Sequence, residues 1–191
     1  MTYFVATDIH GSAYWAQKVV DKFNASGADQ LVLLGDVYNH GPRNPFPQDY
    51  APMKVAEVFN AMSDKLFAVQ GNCDSEVDQM ISTFQFVRED IVALGDRRIM
   101  FTHGHVHNKD SLPYLAKGDV VMYGHFHVNE LNVVDGITCI ALSSCSLPKC
   151  GAAPAYPGQA APGAGNRRVP ARRPSRSRAP RGRRSCRPCG C

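Results

Sequence analysis

The chain has 191 residues, 44% hydrophobic and 20% charged, which is enough for one domain with a substantial core. Its net charge of +4 hides an asymmetry: residues 150–191 hold ten Arg and no acidic residue, so residues 1–149 set 11 basic against 17 acidic side chains, a balance of −6. No stretch approaches the roughly 18 apolar residues of a membrane span, the first eight residues lack the basic region of a secretory signal, and Cys73, Cys139 and Cys145 make no evident disulfide framework. Membrane and disulfide-scaffold classes are thereby excluded, and a cytoplasmic location is expected.

Tyr3–Ala6 is a short apolar run that reads as a buried strand, and it delivers Asp8-Ile9-His10. Ser12 then caps a helix with apolar positions at Trp15, Val19, Val20 and Phe23, ending near Gly27. Residues 31–34 form the next strand, followed by Gly35-Asp36 and a loop carrying His40 and Arg43. Pro52 opens a second helix through Met53, Val55, Ala56, Val58, Phe59 and Met62. Leu66–Val69 leads into Gly71-Asn72-Cys73-Asp74. Strands follow over 84–87, 91–94 and 97–102, the last running into His103-Gly104-His105. A third, short helix is expected over 110–117, stopped by Gly118; Val120–Tyr123 then precedes Gly124-His125-Phe126-His127. Two further strands, 130–134 and 137–142, meet at an Asp135-Gly136 turn.

Strand–helix–strand alternation in the first half implies parallel strands with helices packed on them, while tight turns in the second half suit a meandering second sheet. The expected fold is α/β: two sheets packed as a sandwich with outer helices. From about Cys150 the pattern changes. Seven Pro, six Gly and ten Arg with a single aromatic, Tyr156, leave no hydrophobic periodicity, so this segment reads as a disordered tail. Its abrupt onset is what GC-rich coding sequence looks like when read out of frame. The expectation is a frameshift near residues 141–150 and a second sheet lacking its last strands, with an open edge. The Arg content supports at most non-specific nucleic-acid contact, since no aromatics are interleaved for stacking. Cys186, Cys189 and Cys191 imitate a zinc half-site with no second ligand pair.

Each Asp/His/Asn cluster has a bland reading as a turn. Taken together, in one order and each at a predicted strand end, they place oxygen and imidazole donors along one rim of the fold. All seven His lie between positions 10 and 127, five of them between 103 and 127.

The order D-x-H, G-D, G-N-x-D, H-G-H, G-H-x-H resembles the calcineurin-like metallophosphoesterase superfamily, and residues 35–44 with 71–74 look like its small single-domain bacterial phosphodiesterases. The resemblance covers residues 1–149 and implies a four-layer α/β/β/α sandwich binding two divalent metals, Mn²⁺ first among them, with Ni²⁺, Fe²⁺, Zn²⁺ or Mg²⁺ as alternatives. Carried over by position, one metal takes Asp8, His10, Asp36 and His127, and the other takes Asp36, Asn72, His103 and His125, with Asp36 bridging. The implied reaction is hydrolysis of a small phosphodiester by a hydroxide held between the metals. Many members carry His where this chain has Cys73, whose thiol is a poor proton donor. His40 and His105 are the alternative donors or phosphate ligands, and Arg43 is a candidate for a bidentate grip on phosphate. After the G-H-x-H pair the family's Asn-Pro-Gly-Ser turn is replaced by Ser143-Ser144-Cys145-Ser146.

Two rival readings stand beside the phosphodiesterase: a phosphomonoesterase or nucleotidase, and a non-catalytic protein-interaction scaffold of the same fold. Retention of all seven ligand positions, His10 included, favours an enzyme. Exposed aromatics at Trp15, Phe46 or Tyr50 would offer a surface for a homo-oligomer.

Overall fold

The computed structural model describes residues 1–149; the tail and the readings attached to it lie outside the described residues. In chain order the elements are β1 (Tyr3–Ala6), α1 (Ala13–Ser26), β2 (Gln30–Leu33), α2 (Pro52–Asn60), β3 (Leu66–Val69), α3 (Glu76–Met80), β4 (Phe86–Val87), β5 (Asp90–Leu94), β6 (Arg97–Phe101), β7 (Val120–Tyr123), β8 (Glu130–Val134) and β9 (Ile137–Ala141).

Strands β1, β2, β3 and β4 pair in that order, all parallel. Parallel pairing needs both faces covered, and β2 shows it: Leu31, Val32, Leu33 and the following Leu34 are all completely buried. Alternation along the strands sorts the side chains into two cores. Phe4, Ala6, Leu31, Leu33, Leu66 and Ala68 pack with Ala16, Val19 and Phe23 of α1 and Val55, Ala56 and Phe59 of α2. Tyr3, Val5, Val32, Leu34, Phe67 and Val69 turn the other way, onto Ile99, Phe101 and Met122 of the second sheet.

The helix boundaries follow local chemistry. Ser12 accepts from the Trp15 N–H at 3.2 Å, and Gly27 stops α1 with φ 69°, in the left-handed region. Pro52 stands at the start of α2. Met53, expected on the buried face of α2, is instead 60% exposed, because the helix is only nine residues long and Val55, Ala56 and Phe59 already fill its contact stripe.

The second sheet has the order β5-β6-β7-β9-β8. It is not a meander. Hairpins β5–β6 and β8–β9 are antiparallel, but β6–β7 and β7–β9 are parallel, so two hairpins flank a central parallel strand. The β8–β9 turn is the expected Asp135-Gly136, both with positive φ (52° and 83°), as a type I′ turn requires. Beyond this sheet lies a third core of Met100, Val121, Tyr123, Cys139 and Ala141, covered by Leu112 and Leu115.

No helix forms over 110–117. Asn108 Oδ1 captures the N–H groups of Asp110 (2.8 Å) and Ser111 (3.1 Å), Pro113 has no N–H to give, and the Asp119 carboxylate takes the Ala116 N–H at 2.8 Å. An irregular segment therefore covers this face. A short helix, α3, starts after Ser75, whose N–H donates to Asp78 at 2.7 Å. No helix among the described residues is long and apolar enough to cross a membrane.

Candidate metal centre

The expected ligands come from the C-terminal ends of β1, β2, β3, β6 and β7, brought to one rim where the two sheets meet. The backbone there is unusual. Of seven non-glycine residues with positive φ among the described residues, five are Asp8 (55°), His10 (52°), Asp36 (52°), His125 (67°) and His127 (62°). Left-handed backbone is uncommon for such residues and gathers where function over-determines the chain. Backbone hydrogen bonds hold the turns: Asp8 N–H to Gly35 O (3.1 Å), His10 N–H to Asp36 O (2.8 Å) and Gly124 N–H to His103 O (2.9 Å).

Asp8, His10 and His127 form one convergent set, and Asp8, Asp36 and His103 another; within each set one donor atom per residue lies within 4.8 Å of the others. His10 Nε2 is 3.5 Å from Asp8 Oδ1, 3.8 Å from Asp36 Oδ2 and 3.2 Å from His127 Nε2. His127 Nε2 is 3.3 Å from Asp8 Oδ1, and His103 Nε2 is 3.5 Å from Asp36 Oδ2 and 3.0 Å from Asn72 Oδ1. Donor atoms around a cation with bonds of about 2.1 Å sit about 3.0–3.4 Å from each other, and these spacings fall close to that range. The ring of His125 lies 5.1 Å from that of His103.

Three further observations fit a cation. His10 Nδ1 faces the Asn39 carbonyl at 2.8 Å and His127 Nδ1 the Leu147 carbonyl at 2.7 Å. A ring nitrogen facing a carbonyl carries the hydrogen, so the two Nε2 lone pairs point at each other and need a positive charge between them. His103 repeats the arrangement, with Nδ1 at 2.6 Å from Leu34 O and Nε2 facing the Asn72 oxygen. Finally, Asp8 Oδ1 is fully buried and accepts no hydrogen bond, a costly state for a carboxylate oxygen without a counter-charge.

Electrostatics agree. Burial alone would raise the Asp8 carboxyl, yet the neighbouring His10, His127 and His103 rings hold it well below the usual carboxylate range. Burial opposes charge on His103 too, but Asp36 and Asp8 lift it to about 9, so without metal this ring keeps a proton that a cation would displace. Burial, then the neighbouring His103, pushes His125 down to about 4.

Asp74 orients the bridging candidate Asp36 through the backbone. Its carboxylate accepts from the N–H groups of Asp36, Val37 and Gly71, each at 2.8 Å. The motif glycines answer to close approach more than to turning. A Cβ at Gly71 would sit 2.2 Å from Asp36 Oδ1, and one at Gly124 would sit 2.5 Å from Asp8 Oδ2. That space lets the His125 N–H reach Asp8 Oδ2 at 3.0 Å. The 143–147 segment, which departs from the family pattern, is tied to the same place: Ser144 and Ser146 hydroxyls donate to Asp8 O (2.7 and 3.1 Å), and the Ser143 hydroxyl donates to His127 O (2.8 Å). Single hydroxyls with no distinctive spacing left no sequence signal for that role.

The other candidates separate. Arg43 and Cys73 line a cleft with Asp36, Asn72, His125 and His127. Burial, then the Asp36 charge, pushes the Cys73 thiol up to about 12, which removes it as an effective acid. His105 lies beside the cluster, its ring 5.4 Å from that of His103 and 6.2 Å from that of His125, and lines a different cleft. His40 packs against Phe46 (ring centroids 4.4 Å) and meets Tyr50 edge-to-face (5.2 Å), and it lines neither cleft beside the cluster. Of the three aromatics weighed as surface, Phe46 is 67% exposed, whereas Trp15 and Tyr50 are half-buried.

The calcineurin-like phosphoesterase superfamily domain matches residues 1–156. The phosphodiesterase YfcE of Escherichia coli K12 is 45% identical over 157 residues, covering 82% of this chain and 85% of that protein. The metallophosphoesterase YsnB of Bacillus subtilis 168 is 28% identical over 156 residues, with 78% of each chain covered. The solved structure of E. coli YfcE, described as a phosphoesterase, superposes with a TM-score of 0.78 at 44% identity, covering 81% of this chain and 85% of that one. Fold, site geometry and these likenesses agree: the chain belongs to the calcineurin-like phosphoesterase superfamily, hydrolases of phosphoester bonds.

Proposed function

We propose that this phosphoesterase is a phosphodiesterase using two divalent cations, one held by Asp8, His10, Asp36 and His127, the other by Asp36, Asn72, His103 and His125. The observation that carries the reading is the pair of buried imidazoles, His10 and His127, with Nε2 lone pairs 3.2 Å apart beside the orphaned Asp8 Oδ1. The name of the E. coli relative supports the diester. Mixed oxygen and imidazole donors suit Mn²⁺, with Fe²⁺, Ni²⁺ and Zn²⁺ as rivals. Bound there, the cations would lower the pKa of water and neutralise non-bridging phosphate oxygens.

The protein's own groups do the rest. Asp74 fixes the Gly35–Val37 turn, so that Asp36 is aimed before substrate arrives. Arg43 has no ion-pair partner among the described residues and faces the cleft, where its guanidinium can grip a phosphate oxygen. With the Cys73 thiol held near 12, no strong acid stands in the Cys73 position. That favours diesters with good leaving groups over monoesters that depart as alkoxides. Domain limits of 1–149 and a cytoplasmic location complete the reading, the latter supported by free thiols at Cys73, Cys139 and Cys145.

The test is release of 4-nitrophenolate from bis-p-nitrophenyl phosphate by the Mn²⁺-loaded protein. His10→Ala should abolish it and lower the bound metal. Activity unchanged in that variant, or none in folded, loaded wild type, overturns the proposal.

A further inference from the structure

Two clefts lie beside the metal-ligand cluster, the second lined by four of its ligands and the first by their chain neighbours, and the turn after β3 contributes to both. Gln70 and Gly71 line the first, of ≈ 410 Å³; Asn72 and Cys73, the next two residues, line the second, of ≈ 340 Å³. His105 borders the first and His125 the second, their rings 6.2 Å apart. A phosphodiester has the matching shape, two arms diverging from one phosphorus atom. Both volumes lie within the range of small-molecule sites.

The linings differ in chemistry. The second cleft carries Arg43, Lys149 and the half-exposed ring of Phe126, groups suited to an aromatic leaving group that departs as an anion. The first brings an acidic group, Glu89, beside Arg88, Gln70, Thr102, His105 and His107, with Val106 its one aliphatic side chain. Arg88 forms no ion pair among the described residues, so its donors are unspent, while Glu89 lies 3.7 Å from His107 Nε2 and keeps acceptor capacity. Gln70 and Thr102 can donate and accept. Donors and acceptors side by side around a cleft match vicinal hydroxyls, and they penalise an alkyl chain, which would strand them unpaired.

We propose that the cleft lined by Gln70, Arg88, Glu89, Thr102 and His105 receives the retained arm of the diester and selects a hydroxyl-bearing, sugar- or polyol-like group, with Arg88 and Glu89 as specificity-determining residues. The inference rests on the phosphodiesterase reading.

The experiment compares two substrates with one leaving group, uridine 5′-(4-nitrophenyl) phosphate, which carries vicinal hydroxyls, and methyl 4-nitrophenyl phosphate, using the full Mn²⁺-loaded chain. Wild type should favour the nucleoside arm by about tenfold in kcat/KM, carried by KM, and Arg88→Ala or Glu89→Gln should reduce that ratio to about one. Both side chains are exposed, so neither change opens a core cavity, and thermal unfolding checks that each variant is folded. Arg43→Ala should lower kcat/KM for both substrates and leave the ratio standing. A ratio near one in wild type, a ratio unmoved in both Arg88→Ala and Glu89→Gln, or its loss in Arg43→Ala overturns the inference while leaving the phosphodiesterase reading in place. Hydrolysis of neither substrate by folded, loaded protein overturns that reading, and the inference with it.

Discussion

The two halves of the ligand cluster are built differently. Asp8, His10 and His127 are buried, each within 5% of complete burial; the two rings are held by the Asn39 and Leu147 carbonyls, and the Asp8 and His127 carbonyls by the Ser143, Ser144 and Ser146 hydroxyls. Asn72 is exposed and His125 half-buried, and both face the cleft that Arg43 lines. Asp36 and His103 sit between the halves, buried, with Asp36 held by Asp74 and Cys73. A buried, rigid half suits retention of a cation; an open half suits entry of a substrate that must share the coordination sphere. The contrast teaches that one donor set can divide its work by depth.

Substitution on each side should break the symmetry of an otherwise equal ligand list. His127→Ala should cost on the order of 10²–10³ in activity and remove one bound cation, measurable by elemental analysis of the dialysed protein. Asn72→Ala should cost about ten- to a hundredfold in kcat while thermal stability stays within about 0.5 kcal/mol, since the side chain is exposed. Equal losses of metal and stability in the two variants would erase the distinction.

A subtler probe adds a methyl group. Gly124→Ala puts a carbon against Thr7 Oγ1 and Asp8 Oδ2 on the buried side only. The expected cost is about 1–3 kcal/mol in urea unfolding, with weaker metal retention. A neutral result would show that the Thr7–Asp8 turn yields more easily than its hydrogen bonds imply.

The smallest effect lies away from the cluster, in the second sheet. Hydrogen bonds from the Arg98 side chain, then from the Ala116 and Arg98 N–H groups, hold the Asp119 carboxyl at about 2. A carboxyl depressed in the folded state adds stability that is complete above its unfolded value near 3.8 and is lost as pH falls towards about 2. The unfolding midpoint should therefore drop below pH 4, and Asp119→Asn should flatten that limb of the profile. An unchanged slope would show that the Arg98 fork contributes nothing measurable at this surface.

Much of this was legible in the chain. The strands of the first sheet show as short continuous apolar runs, and helices α1 and α2 carry a 3.6-residue period with a Ser cap, a Pro start and a Gly stop, signals that act over a few residues. The ligand types were legible for the same local reason, each at the end of an apolar run. What escaped were effects of partners distant in sequence. The 110–117 helix is the local exception: Asn108 and Asp119, two or three residues away, take its N–H groups, a competition that the apolar pattern does not record. Gly71 and Gly124 look like turn formers, yet their decisive neighbours are Asp36 and Asp8. His40 and His105 share a residue type and lie in similar loops, but aromatic packing draws one aside while the other borders a cleft.

The order of donors, the strand–helix alternation and the absence of a His at position 73 were properties of the linear chain, because each depends on residue type and near spacing. The facing Nε2 atoms of His10 and His127, 117 positions apart, the unpaired Asp8 oxygen and the two clefts that share the turn after β3 were decided only when the sheets packed. Lone-pair directions and burial are set by groups far along the chain, and no local pattern encodes them.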